Sequence, residues 1–195
     1  FNEAKYKALL GGLEAVEISL SDLVSDLRID AEVYQKRYVT IDTVLSKKMT
    51  TTIGEEVRSI KKGIFDIKAG CYSDKGIPFV RIKNLKGMLI DTNDIPHIPE
   101  SEHEANLKTA LKRGDIILSK TAYAAASFVN LKECNTSQDT VALCLKKSSS
   151  INSKYLVAFF NSFYGYNQLQ RWFTGNIQMH LNLQDCKDIR IPIAS

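Results

Sequence analysis

The chain has no apolar run near the roughly 18 residues needed to cross a bilayer, and its N-terminus lacks the basic-then-apolar pattern of a signal peptide. No membrane partner is expected, and a cytoplasmic location is the default. Cysteine is sparse: Cys71, Cys134, Cys144 and Cys186 stand far apart and form no Cys-x-x-Cys pair. That spacing argues against a zinc site and against a dense disulfide framework, and favours reduced thiols. The histidines are scattered too; His97 falls in a Pro-flanked loop and His103 beside acidic residues, so both read as solvated side chains. There is no internal repeat, no phosphate-binding Gly-rich Lys loop, no Pro-Asp followed by Glu-x-Lys nuclease pattern and no nucleophile elbow.

What is present has the balance of an ordinary globular protein: 195 residues, 44% hydrophobic and 25% charged, enough for one main domain. The chain starts at Phe1 and stops at Ser195 just after an apparent strand, as expected of an excised piece. The net charge of +4 is unevenly spread. Residues 1–46 carry 5 basic and 8 acidic side chains, whereas residues 47–86 carry ten basic against four acidic, a net of +6. Such a stripe attracts phosphates through counterion release, although charge alone favours a solvated face.

Periodicity supplies the elements. Tyr6, Leu9, Leu10, Leu13 and Val16 recur at helical spacing. Gly11 and Gly12 weaken that helix by roughly 1 kcal/mol each, which suits a segment that docks on a partner surface. Ser21 and Asp22 cap a short helix through Leu27, and Asp30 begins another containing Val33, Tyr34 and Tyr38. Residues 1–45 therefore read as a helical linker or docking segment, and residues 46–195 as the main domain.

In the main domain, Pro78-Phe79-Val80-Arg81-Ile82-Lys83 alternates. That predicts a strand with Val80 and Ile82 in the core and Phe79, Arg81 and Lys83 on a basic, aromatic face. A turn over 84–87 and a short strand over 88–91 follow. Ser101 and Glu104 predict a capping box for a helix that carries Leu107, Ala110 and Leu111 and ends at Lys112-Arg113-Gly114. Asp115-Ile116-Ile117-Leu118-Ser119-Lys120 predicts a buried strand with a polar end. Strands are expected over 127–131 and 140–145, joined by a polar loop over 132–139 that reads as solvent-exposed. Asn152 or Ser153 opens an aromatic helix with Leu156, Phe159, Phe160 and Phe163, followed by a second with Leu169, Trp172 and Phe173. This stripe reads as core, with Gln168 and Arg171 off it and exposed.

Four phrases occur in a fixed order: Gly76-Ile77-Pro78-Phe79-Val80-Arg81-Ile82, Gly114-Asp115-Ile116-Ile117-Leu118-Ser119, the helical pair of residues 155–175, and Leu181-Asn182-Leu183 followed by Ile191-Pro192. Together they resemble the target recognition domain of type I restriction-modification specificity subunits and of adenine-N6 DNA methyltransferases fused to such a domain. Residues 27–34 are similar to the segment that precedes it. The resemblance implies an α/β (α+β) fold, a mixed-sheet DNA target recognition domain with flanking helices. It also implies duplex DNA as ligand and a DNA methyltransferase subunit or fused domain as partner, with a restriction motor subunit as a further one.

No cofactor is expected in this chain, and S-adenosylmethionine is expected in the methyltransferase partner. The chain has neither the Gly-rich cofactor loop nor the Asn/Asp-Pro-Pro-aromatic loop of such enzymes; Asn161-Ser162-Phe163-Tyr164 lacks both prolines. It is therefore expected to be no enzyme, with no catalytic or metal residues. By the donor and acceptor chemistry of base edges, Lys120, Tyr123, Gln178 and Asn182 are candidates for base reading. Arg81, Lys83, Lys86 and Arg171 are candidates for phosphate or groove-edge contacts, and Thr121 is also within reach. One departure stands out: where the family has a glycine-bearing loop after Ser119, this chain has Lys120-Thr121-Ala122-Tyr123-Ala124-Ala125-Ala126. Two alternatives stay open. One is a stand-alone metal-dependent nuclease or hydrolase using Asp115, Glu133 and Asp139. The other is a protein-interaction module that binds no DNA.

Overall fold

The computed structural model describes residues 3–5, 15–23, 29–65, 67, 69–121, 123–174, 180–181 and 186–193. Most of the expected helix over residues 3–16, and the segment leading to Leu27, lie outside these. In chain order the elements are α1 (Lys36–Ser46), β1 (Thr50–Thr52), α2 (Ile53–Glu56), β2 (Val57–Lys62), β3 (Ile77–Val80), β4 (His97–Ile98), α3 (Glu100–Ala105), β5 (Leu111–Lys112), β6 (Ile116–Ser119), β7 (Ala126–Phe128), β8 (Glu133–Thr136) and β9 (Thr140–Leu145). They continue with α4 (Ser153–Phe160), α5 (Phe163–Arg171), β10 (Phe173–Thr174), β11 (His180–Leu181) and β12 (Arg190–Pro192).

Two four-stranded sheets form the frame. The first is antiparallel, in the order β2-β9-β6-β7, with Ile116 opposite Leu143 and Leu118 opposite Val141. Alternate side chains of its central strands go to different layers, as the pleat requires. Ile116, Leu118, Val141 and Leu143 share a cluster with Leu156, Val157, Phe160 and Leu169 of the helical pair. Ile117 and Ala142 instead share one with Val80, Leu111 and Cys134 of the second sheet. The second sheet, β4-β3-β8-β5, is mixed, because β3 and β8 run parallel while the outer pairs are antiparallel. The molecule is thus layered as helices, antiparallel sheet and mixed sheet, an α+β arrangement.

The helical pair forms as its sequence predicts. Asn152 and Ser162 sit at the N-caps, and each side chain accepts from a backbone N–H three residues on. Gly165 lets the two helices meet: a Cβ there would lie 2.1 Å from the Phe159 carbonyl oxygen. Phe163 is the exception to the buried stripe, at 61% exposed.

Several expectations are corrected. Phe79 and Val80 are both fully buried, on opposite faces, because β3 is an interior strand between β4 and β8. No basic, aromatic strand face exists there. The chain leaves the strand at Arg81, whose N–H donates to Asn84 Oδ1 at 3.0 Å as a 3-10 turn forms over Ile82–Asn84. Residues 88–91 make isolated bridges, Leu85 to Ile90 and Leu89 to Phe128, and no strand.

The helix expected up to Gly114 ends at Ala105, and its N-cap is Pro99 without a side-chain cap. Asn106 folds back to donate to the Glu102 carbonyl, a 3-10 turn follows, and Leu111 is drawn into pairing with Cys134. A capping box forms instead at Thr52 and Glu55, where α2 begins. The supposed solvent loop over 132–139 contains β8, in which Asn135 and Thr136 are buried. His103 is buried as well: its Nδ1 lies 2.5 Å from Asn135 Oδ1, and Asn135 Nδ2 donates to Thr109 Oγ1. All four cysteines are free thiols, and burial followed by the nearby Asp115 and Glu133 charges pushes Cys134 up to about 12.

Candidate functional site

One edge of the molecule gathers four of the nine expected contact residues, Arg81, Lys83, Lys120 and Tyr123. The parallel pairing of β3 with β8 brings the chain after Val80 beside the turn over 137–139, where Ser137 N–H donates to the Val80 carbonyl at 3.1 Å. Lys120, just past the end of β6, reaches the same turn through its N–H, which donates to the Asp139 carbonyl at 2.8 Å. The Lys120 carbonyl accepts from Leu181 N–H at 2.9 Å, so the tail returns to this point. Tyr123 bridges to the other segment, with its hydroxyl 3.5 Å from the Ile82 carbonyl. Between the 72–83 and 137–139 segments lies a cleft of about 360 Å³, whose lining includes Tyr72, Arg81, Lys83 and Asp139.

The edge is cationic and aromatic. Lys83 is exposed, Lys120 is half-buried, Tyr123 is 45% exposed and Phe65, beside Ile64 of the cleft, is 82% exposed. The Arg81 guanidinium lies 5.9 Å from the Tyr72 ring centre and donates weakly to the Asp94 carbonyl at 3.4 Å. Its Nε is buried with no hydrogen-bond partner among the described residues. Lys86 is exposed but bonded to the Asp91 carboxylate at 2.7 Å, and that hydrogen bond raises its pKa.

Past Ser119 the chain folds back on that residue. Ser119 N–H donates to the Ala125 carbonyl, and the Ser119 hydroxyl donates to the Tyr123 carbonyl. Thr121 is consequently 3% exposed and does not present its side chain to a ligand, against expectation.

Arg171 is corrected more sharply. It is buried on the opposite side of α5, where Nε donates to the Val33 carbonyl at 2.8 Å and Nη1 to Asp42 Oδ2 at 2.7 Å. Tyr34, Tyr38 and Trp172 surround its guanidinium at 5.8 Å. It ties α1 to the domain and is not placed for phosphate contact. Gln168 is buried too, pairing with both backbone groups of Arg190. Gln178 and Asn182 lie outside the described residues.

Asp115, Glu133 and Asp139 do not converge: among the described residues no group of three or more His, Cys, Asp or Glu side chains could hold a metal ion. Tyr72 and the turn over 137–139 were missed as DNA-contact residues: the parallel β3–β8 pairing brings the turn beside Arg81, while the Ser73–His97 bridge and the packing of Tyr72 on Phe79 bring Tyr72 there. No helix among the described residues is long and apolar enough to cross a membrane.

No family model matches the sequence, and no curated protein matches it. Solved structures do. The type I restriction-modification S subunit from M. genitalium matches 74% of this chain and 33% of its own, at 13% identity and a TM-score of 0.51. The HsdS subunit from Thermoanaerobacter tengcongensis matches 97% of this chain and 44% of its own, at 18% identity and a TM-score of 0.51. The type IIG restriction endonuclease BpuSI matches 92% of this chain and 28% of its own, at 8% identity and a TM-score of 0.60. The chain thus spans less than half the length of each. With its layered helices and mixed sheet, it has the target recognition domain fold of type I restriction-modification S subunits.

Proposed function

We propose that this chain is a sequence-specific duplex DNA recognition module that directs an adenine-N6 methyltransferase, and with it a restriction motor, to a target site. The fold likeness makes the class of function reasonable, but a fold alone does not fix function. The observation that carries the reading is the convergence of Arg81, Lys83, Lys120 and Tyr123 around one cleft edge of that fold. Cations at such an edge anchor phosphates and set the register in which polar side chains meet base edges.

The module supplies positioning and specificity; chemistry belongs to a methyltransferase, separate or fused. S-adenosylmethionine is assigned to that partner, since this chain carries neither the Gly-rich cofactor loop nor the Asn/Asp-Pro-Pro-aromatic loop of such enzymes. The nuclease alternative finds no group of three or more His, Cys, Asp or Glu side chains among the described residues on which to build a metal site.

The test is selection of bound sequences from a randomised duplex library, followed by affinity of the winner and of a scrambled duplex across a salt series. An enriched short motif with salt-sensitive affinity supports the proposal. Absence of binding at low salt would sink it and bring forward the protein-interaction alternative.

A further inference from the structure

The backbone of the turn over 137–139 is held from several directions. The Ser137 carbonyl accepts from Thr140 N–H at 3.1 Å and from Thr140 Oγ1 at 2.8 Å, while Val80 and Lys120 hold Ser137 N–H and the Asp139 carbonyl. Gly63 lies so close that a Cβ on it would stand 2.0 Å from the Ser137 carbonyl oxygen. The side chains contrast with this. Gln138 is exposed and Asp139 half-buried, both line the cleft, and neither side chain makes a hydrogen bond or ion pair with any described residue.

Asp139 thus has a carboxylate without a partner among the described residues, in a cleft it shares with Arg81 and Lys83 and beside the backbone of Lys120. Arg81 is turned to Tyr72 and to the Asp94 carbonyl, so it does not neutralise Asp139. If this edge meets duplex DNA, phosphates repel the carboxylate, and so do the acceptor atoms O6 and N7 of guanine. A favourable partner in the groove is an exocyclic amino group, cytosine N4 or adenine N6. A rigid backbone that carries uncommitted polar side chains is the arrangement that base reading requires, since the groups are aimed before binding.

We propose that this turn is a base-reading element. Asp139 accepts from the exocyclic amino group of a cytosine or adenine, Gln138 pairs with a neighbouring base edge, and Lys83 anchors the adjoining phosphate. The inference rests on the DNA-recognition function proposed above and names residues that specify the sequence read.

The experiment is the same library selection on the 195-residue chain and on D139A, D139N, Q138A and K83A, each checked for an unchanged melting curve. D139A is expected to lose preference at one position of the motif, with discrimination there falling about 5- to 100-fold, while scrambled duplex binds as well or better. D139N keeps an acceptor and adds a donor, so it should change the base preferred at that same position. Q138A should relax a neighbouring position, and K83A should weaken all sequences alike. A D139A motif identical to that of the parent overturns this proposal and leaves the recognition function standing. Equal loss on all sequences also overturns it. A parent chain that enriches no motif overturns the function itself, and this proposal with it.

Discussion

Glu56 is buried where β1, α2 and the chain after β9 meet, and it accepts from Thr51 Oγ1, Ser149 Oγ, Ser150 Oγ and Ser150 N–H. Burial pushes its pKa up, but the bonds from Ser149, Ser150 and Thr51 outweigh that and hold it at about 2, below the ordinary 4.5. Because the folded value is the lower one, this stabilisation is fully present above about pH 4.5 and is lost as pH falls towards about 2. E56Q should cost roughly 1–3 kcal/mol near neutral pH and flatten the acid limb of stability, as read from urea denaturation at a series of pH values. Arg171 belongs to the same scale. R171M removes one of two arginines from Asp42, which Arg190 still meets at 2.7 Å. A loss of about 2–3 kcal/mol is expected, between the values for exposed and fully buried pairs. Where the variant remains folded, DNA affinity should be unchanged; a drop in affinity without a drop in stability would return Arg171 to the contact surface.

The elements legible in the sequence are those fixed by local signals. Helices α4 and α5 carry their caps and an apolar stripe, and β6 and β9 are compact apolar runs long enough to announce themselves. Short strands were not legible. In β8, Asn135 and Thr136 look like loop residues until the parallel partner β3 and the His103 and Thr109 side chains satisfy them. The region after Ala105 misled for a related reason: Leu111 fits a helical stripe, but pairing with Cys134 buries it better. For the site, Arg81, Lys83, Lys120 and Tyr123 were legible as chemistry, whereas the pairing of Arg171 with Asp42 spans 129 residues and leaves no local mark. Gly63 permits a close approach between the chain just past β2 and the turn after β8. G63A should destabilise the fold by roughly 2 kcal/mol or more in denaturant titration, since the obstacle is backbone and cannot rotate away.

For the molecule as a whole, the proposed binding of DNA at the cationic edge should respond to salt. If Arg81, Lys83 and Lys120 each neutralise one phosphate, the slope of log affinity against log salt should be near −3, and K83A should reduce its magnitude by about one. A slope near zero in a fluorescence titration would mean that the edge does not face the DNA. The ribbon of β1 and β12 pairs Thr50 with Pro192, Thr51 with Ile191 and Thr52 with Arg190. Since the strands are antiparallel, the chain enters and leaves through the same end of that ribbon, at Thr50 and Pro192. A tug on both flanks at once would therefore load its hydrogen bonds one pair at a time, as in a zipper. The Asp42–Arg190 latch would feel the force well before the Ile116–Leu143 ladder, so the clasp can open mechanically while the sheet behind it stays intact.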